Sequence, residues 1–561
     1  MKRNWEEWTR KWLLCKTNIS LKSNHFVPIP QEHKDDEHTQ QGNNGVPTDK
    51  DSQSSSDSQS LFEKFMSHAR STSLPRQVLR TCPISDTDVK HSKANLLNTK
   101  QLFALTFFAL TGGSFGVQEC LKLGGPMLMF ITFFLIHPLW TIPIILMTIE
   151  MTCMIPESGG HVLWVYRAFG PFWSYMNGAF AFACSVLDNA MFPSLFLEYL
   201  SILLPRTSNN LPPLNYAWGV FIKMIILMFV TIVNVIGIDI VGNASFILMV
   251  FIVVSLVIIP CFGIKYIDFS WMASPISEKT NRGKFLAILL WNTSGMDIVG
   301  TCASEVLTPS YSYPRAVMYG FLLLVVSNAL PFIIGTSIFS NQEDWNDGTY
   351  FDVAKIVGGN PFEVWMGVVG LCSVMGLLLV RFCTNSRILY GMAQVDQMPA
   401  ALTILCPKFH TPIVAILVTS MCTIVFNFFN VYHLVEADML FYALSTLLKF
   451  GALIQLRYTE PDVLRPFQIP LEKHLLMVFM CCPMIMCILI LIYASERSQG
   501  IALIGGAIGV FSYICKECFT QYGIKEVAEK RLVRVQENLE RMQKRIDVVI
   551  ESEIKLLESK K

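Results

Sequence analysis

Charged side chains are scarce in this chain. They make up 16% of its 561 residues, where a soluble domain carries about 25%, so they cannot cover a water-facing surface of ordinary extent. That excludes a soluble enzyme. A net charge of +1 excludes a nucleic-acid binder, whose basic face needs a clear excess of Lys and Arg. Cysteine is present but unpatterned. The 16 Cys lack disulfide or zinc spacing, and most, such as Cys153, Cys184, Cys302, Cys372 and Cys487, sit in apolar runs. This excludes a secreted disulfide scaffold and reads as small hydrophobes in helix packing. No catalytic constellation, metal set or cofactor-binding stretch is visible, so neither an enzyme nor a cofactor is expected. His433 and Asp438 match an H-x-x-x-x-D spacing used by some membrane acyltransferases, but one match in 561 residues is expected by chance. Residues 1–80 lack the apolar core of a cleavable signal, and the short alternating strands of a membrane barrel are missing.

What is there is long apolar runs between two polar tails. Residues 1–100 and 520–561 hold 45 of the 87 charges, and residues 101–519 carry the other 42, about one in ten. A helix needs about 20 mainly apolar residues to cross a bilayer. Twelve stretches qualify: 101–122, 126–154, 170–200, 216–236, 243–263, 284–303, 315–339, 362–388, 411–430, 433–456, 474–494 and 500–519. In lipid the backbone must satisfy its own hydrogen bonds, so each reads as a helix. The expected fold class is all-α, a polytopic membrane protein of about twelve transmembrane helices over residues 98–520.

Orientation follows less directly. With the N-terminus inside, eight cations fall on short inner loops: Arg167, Arg315, Arg381, Arg387, Lys408, Arg457, Arg465 and Lys473. The outer loops carry eight as well, so loops alone tie under the positive-inside rule. The basic flanks Lys90, Lys93, Lys100, Lys516, Lys525, Lys530, Arg531 and Arg534 tip both tails to the cytosol. Residues 1–97 contain a Gln/Asn/Ser/Asp-rich stretch from Gln40 to Ser60 that cannot form a core, and read as disordered. Residues 521–561 read as a charged amphipathic helix. There Ala528, Leu532, Val535, Leu539, Met542, Ile546, Val549 and Leu556 keep heptad-like spacing, broken at Glu553, which permits self-association or a lone surface helix.

Two spans are interrupted by glycine near their middles. The first reads Thr111-Gly112-Gly113-Ser114-Phe115-Gly116, and the sixth reads Trp291-Asn292-Thr293-Ser294-Gly295-Met296-Asp297. Breaks five spans apart fit an inverted five-plus-five repeat, in which broken helices frame the substrate site. Close packing by small residues is the plainer alternative for either break taken alone. Charges inside spans are costly unless they face a cavity or a partner. They are Glu119, Glu150, Asp188, Glu198, Lys223, Asp297 and Lys449. Glu119 and Asp297 follow the two breaks by a few residues, which places acidic groups near the expected site. Glu198 and Lys223 lie near helix ends and read as structural, and Glu150 as a packing or gating residue.

At these residues the chain resembles the polyamine-uptake branch of the amino acid–polyamine–organocation superfamily, which also holds L-type amino acid transporters. The similarity runs through TGGSFGVQECLKLGGP (111–126), HPLWTIP (137–143), IEMTCMIPESGGHVLWVYRAFGPFW (149–173) and SVLDNAMFPSLFLEYL (185–200). It continues in WNTSGMDIVGTCASEVLTPSYSYPRA (291–316), TNSRILYGMA (384–393) and LKFGALIQLRYTEPDVLRPFQIPL (448–471). The resemblance implies the LeuT-like inverted-repeat fold, alternating access and proton-coupled uptake of amino acids or polyamines. It places substrate on Gly112, Gly113, Ser114, Phe115 and Gly116 of helix one, on Trp291, Asn292, Ser294, Gly295 and Asp297 of helix six, and on Tyr390 of helix eight. Glu119, Asp188 and Lys449 become candidate coupling or charge sites. Three departures stand out. Ser114 replaces the proline of plant members, Ala393–Gln397 lacks an Arg-Asp-Gly pattern, and Phe180-Ala181-Phe182 replaces a Lys-Trp-like stretch. A fourth reverses a charge: Lys449 stands where the branch usually has glutamate, which favours a zwitterionic or otherwise altered substrate over a polyamine.

The expected function is therefore a secondary transporter of amino acids or polyamines, with protons as the coupling partner and the bilayer as its medium. The plasma membrane is the expected location, with an intracellular membrane as alternative. A transporter-like nutrient sensor signalling through its long tails is the rival reading.

Overall fold

The computed structural model describes residues 96–110, 117–207, 216–273, 282–346, 348–428 and 431–520. The expected disordered stretch within 1–97 and the amphipathic helix of 521–561 fall almost wholly outside these residues, as do Gly112, Gly113, Ser114, Phe115 and Gly116. Among the described residues the only extended pairings are two isolated bridges, Leu97 with Val306 and Ser158 with Cys302.

The rest is helix. In chain order these are α1 (Thr99–Leu110), α2 (Val117–Ile136), α3 (Ile142–Met154), α4 (His161–Phe169), α5 (Pro171–Thr207), α6 (Tyr216–Ile236) and α7 (Ile238–Gly263). They continue with α8 (Arg282–Trp291), α9 (Pro309–Ile338), α10 (Thr349–Gly358), α11 (Asn360–Gln394), α12 (Ile413–Phe426), α13 (Val431–Thr459) and α14 (Lys473–Tyr493). The last is α15 (Glu496–Thr520). Among the described residues, nine runs of helix are long and apolar enough to cross a membrane, α2 and α3 counting as one. The other three of the twelve expected spans are the first, whose expected interruption lies outside the described residues, the broken sixth and the short α12.

Glycine and proline set the breaks. Gly125 has φ +76°, a conformation that side chains with a Cβ rarely adopt, and Pro126 follows. There the chain ends span one and begins span two. The Gln342 side-chain amide donates to the Lys122 and Leu123 carbonyls at 2.9 and 3.0 Å, groups that a helix end otherwise leaves unpaired. Span two has a π turn at His137–Thr141 containing Pro138. Span six ends as α-helix at Trp291, turns at Gly295 (φ +100°) and resumes as 3-10 helix over Met296–Thr301.

Large apolar side chains lie on the outer faces, among them Phe134, Phe221, Met228, Ile247, Leu322, Met421, Val478 and Leu503. Such a surface needs lipid as its solvent. The interior is where the charges go. Helices α11 and α13 both pack along α5, and Asp188, Asp297, Arg381, Arg387 and Lys449 are all buried among these elements. This corrects the loop assignment of Arg381 and Arg387. Both lie within α11 and neither reports on orientation.

Candidate functional site

Three helices turn polar faces toward one another. On α5 these are Ala181, Cys184, Ser185 and Asp188; on α11, Arg381, Asn385 and Ile388; on α13, Tyr442, Ser445 and Lys449. Each set follows the three-, four- and seven-residue spacing that puts side chains on one helical stripe. His161 of α4 and Ile298 of the 3-10 segment complete the lining. They enclose a cavity of about 20 Å³, room for about one water molecule.

Two buried ion pairs flank it. Arg381 Nη1 donates to Asp188 Oδ2 at 2.8 Å, and the Trp291 indole donates to Asp188 Oδ1 at 3.2 Å. The other end of the guanidinium bridges spans one and six. Arg381 Nη2 donates to the Ala109 carbonyl at 2.9 Å and to the Ser294 carbonyl at 3.3 Å. The Ser294 carbonyl lies just past the end of α8, where no further turn of α-helix follows to donate to it. In the second pair, Lys449 Nζ donates to Asp297 Oδ2 and the Tyr442 hydroxyl donates to Asp297 Oδ1 at 2.6 Å. The Lys449 ammonium also lies 4.8 Å from the centre of the Tyr442 ring. A buried carboxylate tolerates its site only when paired and hydrogen-bonded, and here all four carboxylate oxygens have a donor.

The backbone holds this arrangement. Gly295 N–H donates to the Tyr442 hydroxyl at 3.3 Å. A Cβ on Gly295 would stand 2.5 Å from Arg381 Nη2 and 2.7 Å from the Ala109 oxygen. The π turn delivers Trp140, whose indole donates to Ser294 Oγ at 3.0 Å. Trp291 stacks on Phe192 with ring centres 6.3 Å apart.

Of the residues singled out from sequence, Asp188, Trp291, Ser294, Gly295, Asp297 and Lys449 meet here. Asn292 turns the other way, with its amide on the Ile288 carbonyl at 3.0 Å and near Cys120. Glu119 pairs with Lys122 at 3.5 Å on the first turns of α2 and is not among the cavity-lining residues. Tyr390 packs with Leu389, Leu402 and Ala415, on another side of α11. Arg381, Tyr442, His161, Asn385 and Ser445 were not singled out. Their signal was the polar stripe along each helix.

Both ends of the cavity are packed. At one, Leu97 N–H donates to the Glu305 carbonyl at 2.8 Å, and Arg387 grips Glu305 through two hydrogen bonds of 2.8 and 2.9 Å. Ser158 and Ser304 bond side chain to side chain beside them. At the other, α10 buries Tyr350 and Phe351, and Phe351 meets Tyr199 edge-on at 5.9 Å.

The comparisons with known proteins fit this geometry. The amino acid permease family model matches residues 97–508, a span that takes in every element of the site. The chain belongs to that family. It is an integral membrane transporter, not an enzyme. It is 32% identical over 425 residues to the polyamine transporter RMV1 of Arabidopsis thaliana, covering 75% of this chain and 84% of that one. It is 30% identical over 386 residues to the polyamine transporter PUT1 of Oryza sativa, covering 68% and 70%. The aromatic amino acid transport protein AroP of Escherichia coli K12 is 23% identical over 299 residues, covering 49% and 62%. Among solved structures, MhsT in complex with L-phenylalanine superposes with a TM-score of 0.53 at 13% identity, covering 71% of this chain and 98% of that one. At that identity the likeness speaks for the fold alone, the five-plus-five inverted repeat expected from the paired breaks.

Proposed function

We propose that this chain is a proton-coupled secondary transporter of amino acids or polyamines, working by alternating access, with substrate bound between the Asp188–Arg381 and Asp297–Lys449 pairs. The observation that carries the reading is the small polar cavity beside the break in span six, lined by paired charges deep in an apolar bundle. Charges at that depth persist only for a task or a partner, and broken helices near mid-membrane are where transporters of this architecture bind their cargo. The relatives named for polyamine and for aromatic amino acid transport bracket the substrate. A cavity of about 20 Å³ is far smaller than either cargo, so this arrangement corresponds to the closed point of the cycle, and binding requires one end to open. Within the site, Asp297 is the proposed proton carrier, because its counter-ion is a lysine that can exchange partners as the helices move.

Uptake into proteoliposomes holding the purified full chain tests this. Labelled substrate should accumulate when the outside is more acidic, and a protonophore should abolish the accumulation. Ligand that binds but never crosses, with or without a pH gradient, refutes the transporter reading and leaves a receptor.

A further inference from the structure

The geometry points to a lipid site away from the cargo: a basic cavity, where spans ten and eleven leave the apolar core, that holds one phospholipid with a singly negative headgroup. The inference is independent of what the chain carries.

The end of α13, the loop over 460–472 and the start of α14 line an open cavity of about 630 Å³, within the range of about 300–1,000 Å³ of small-ligand sites. Its polar lining is Arg457, Arg465, Gln468, Glu472, Lys473 and His474. Behind it lies Glu150, wholly buried, and both guanidinium groups share that one carboxylate. Its Oε1 accepts from Arg457 Nε at 2.6 Å and stands 3.3 Å from Arg465 Nε. Its Oε2 accepts from Arg457 Nη2 and from Ile469 N–H. Glu150 is thereby saturated, and one cation stays unmatched. On the rim Lys473 and Glu472 balance. Glu460 is held by Arg167 at 2.7 Å, and Asp462 is exposed and not part of the lining. The cavity therefore keeps one unit of positive charge.

The groups still free are donors. Arg465 Nε is buried and has no aligned acceptor. Among the described residues Arg457 Nη1 makes no hydrogen bond, and Lys473 has no ion pair, its ammonium lying 5.7 Å from the centre of the Tyr458 ring. Helix α14 begins at Lys473 with no side-chain cap from Glu472, so the N–H groups of its first turn add to the same positive end. Guanidinium, ammonium and helix terminus all call for anionic oxygen, and a phosphate presents several on one atom.

The surface at the mouth makes that phosphate a lipid's. Tyr458 and Leu475 are exposed beside the cavity, and Leu475, Val478, Ile485 and Ile492 continue as one exposed apolar stripe along α14. A headgroup seated in the cavity lays its acyl chains along that stripe without leaving the bilayer. Basic pockets between membrane helices take anionic headgroups in this way. Phosphatidylcholine brings its own ammonium to a site already in excess of cations, whereas phosphatidylglycerol brings the phosphate alone.

Native mass spectrometry of the purified full chain, offered equal amounts of phosphatidylglycerol and phosphatidylcholine, reads the lipid retained. One basic residue near anionic lipid is worth about five-fold in affinity. The parent should keep one phosphatidylglycerol at least five-fold over phosphatidylcholine. Lys473→Glu should abolish that preference and Glu472→Gln should enlarge it; both residues are exposed, so neither change disturbs the core. Lys408→Glu, at an exposed lysine in the loop before α12, should leave the preference as it is. Equal retention of the two lipids by the parent overturns the inference, and so does a preference unmoved in either rim variant. A preference lost as fully in Lys408→Glu overturns it too, since that marks attraction to the whole surface. Displacement of the lipid by excess inorganic phosphate or glycerol 3-phosphate would make the ligand a soluble phosphate and overturn the lipid assignment.

Discussion

Arg381 shows how one side chain ties the site together. Its planar fork reaches a carboxylate and two carbonyls from different spans, a geometry that a point charge on a flexible stem cannot reproduce. Arg381→Lys should keep Asp188 neutralised and the protein folded, yet lose the bridge between Ala109 and Ser294. Hydrogen bonds to charged groups are worth about 1.5–3 kcal/mol each, so initial uptake at unchanged membrane abundance should fall about ten-fold or more. A wild-type rate would remove Arg381 from the site. Sequence reading found Asp188, Asp297 and Lys449 because charges in apolar runs are conspicuous. It assigned Arg381 to a loop, because one cation near the polar end of the apolar run over 362–388 looks the same whether it faces water or a buried acid. Tyr442 and His161 were missed because a polar stripe marks a face without showing what it meets, and their role depends on α13 and α4 facing the 3-10 segment, a long-range contact.

At the scale of elements, the spans were legible to within a few residues, because hydrocarbon thickness and backbone satisfaction leave little choice. The interruption of span six was legible too, through Ser294-Gly295, whereas the one expected at Gly112-Gly113 lies outside the described residues. The π turn was not, since HPLWT reads as ordinary apolar helix with one proline. What those elements require is testable at Gly295, where φ is +100° and a Cβ meets both Arg381 and the Ala109 oxygen. Gly295→Ala should unseat the guanidinium and cut uptake at least ten-fold; wild-type uptake would mean that the break tolerates a side chain. A second joint lies away from the cavity. Glu150 of α3 accepts from Arg457 of α13 at 2.6 Å through each oxygen, from Ile469 N–H at 2.9 Å, and pairs with Arg465 at 3.3 Å. Glu150→Gln leaves two guanidinium groups short of their anion, and losing one partner of a buried pair costs about 3–5 kcal/mol. Thermal stability of the purified protein should drop markedly, and an unchanged melting profile would show that the joint is dispensable.

For the whole molecule, the consequence of packing at both ends is that transport requires one end to let go. Among the described residues, the end built from Leu97, Glu305 and Arg387 holds by few contacts: two isolated bridges, one bidentate ion pair and a serine pair. Nothing in the sequence announced it, because Glu305 lies 82 residues from Arg387 and each looks like an ordinary membrane-boundary charge. Cys302 and Cys383 are buried close by, with exposures of 0%, and give a ready readout. Glu305→Gln keeps the shape of the side chain but removes the charge that the guanidinium grips, so the balance should shift toward states open at this end. A membrane-impermeant thiol reagent applied from that side should then label Cys302 or Cys383 several-fold faster than in the parent. All the other free cysteines among the described residues, such as Cys261 and Cys481 on the outer surface, need replacing by serine or alanine first. Ligand that favours the closed arrangement should slow labelling again, in both proteins. If labelling stays as slow in Glu305→Gln as in the parent, the ion pair does not latch this end, and the bridge between Leu97 and Val306 with the packing around it must hold the closure alone.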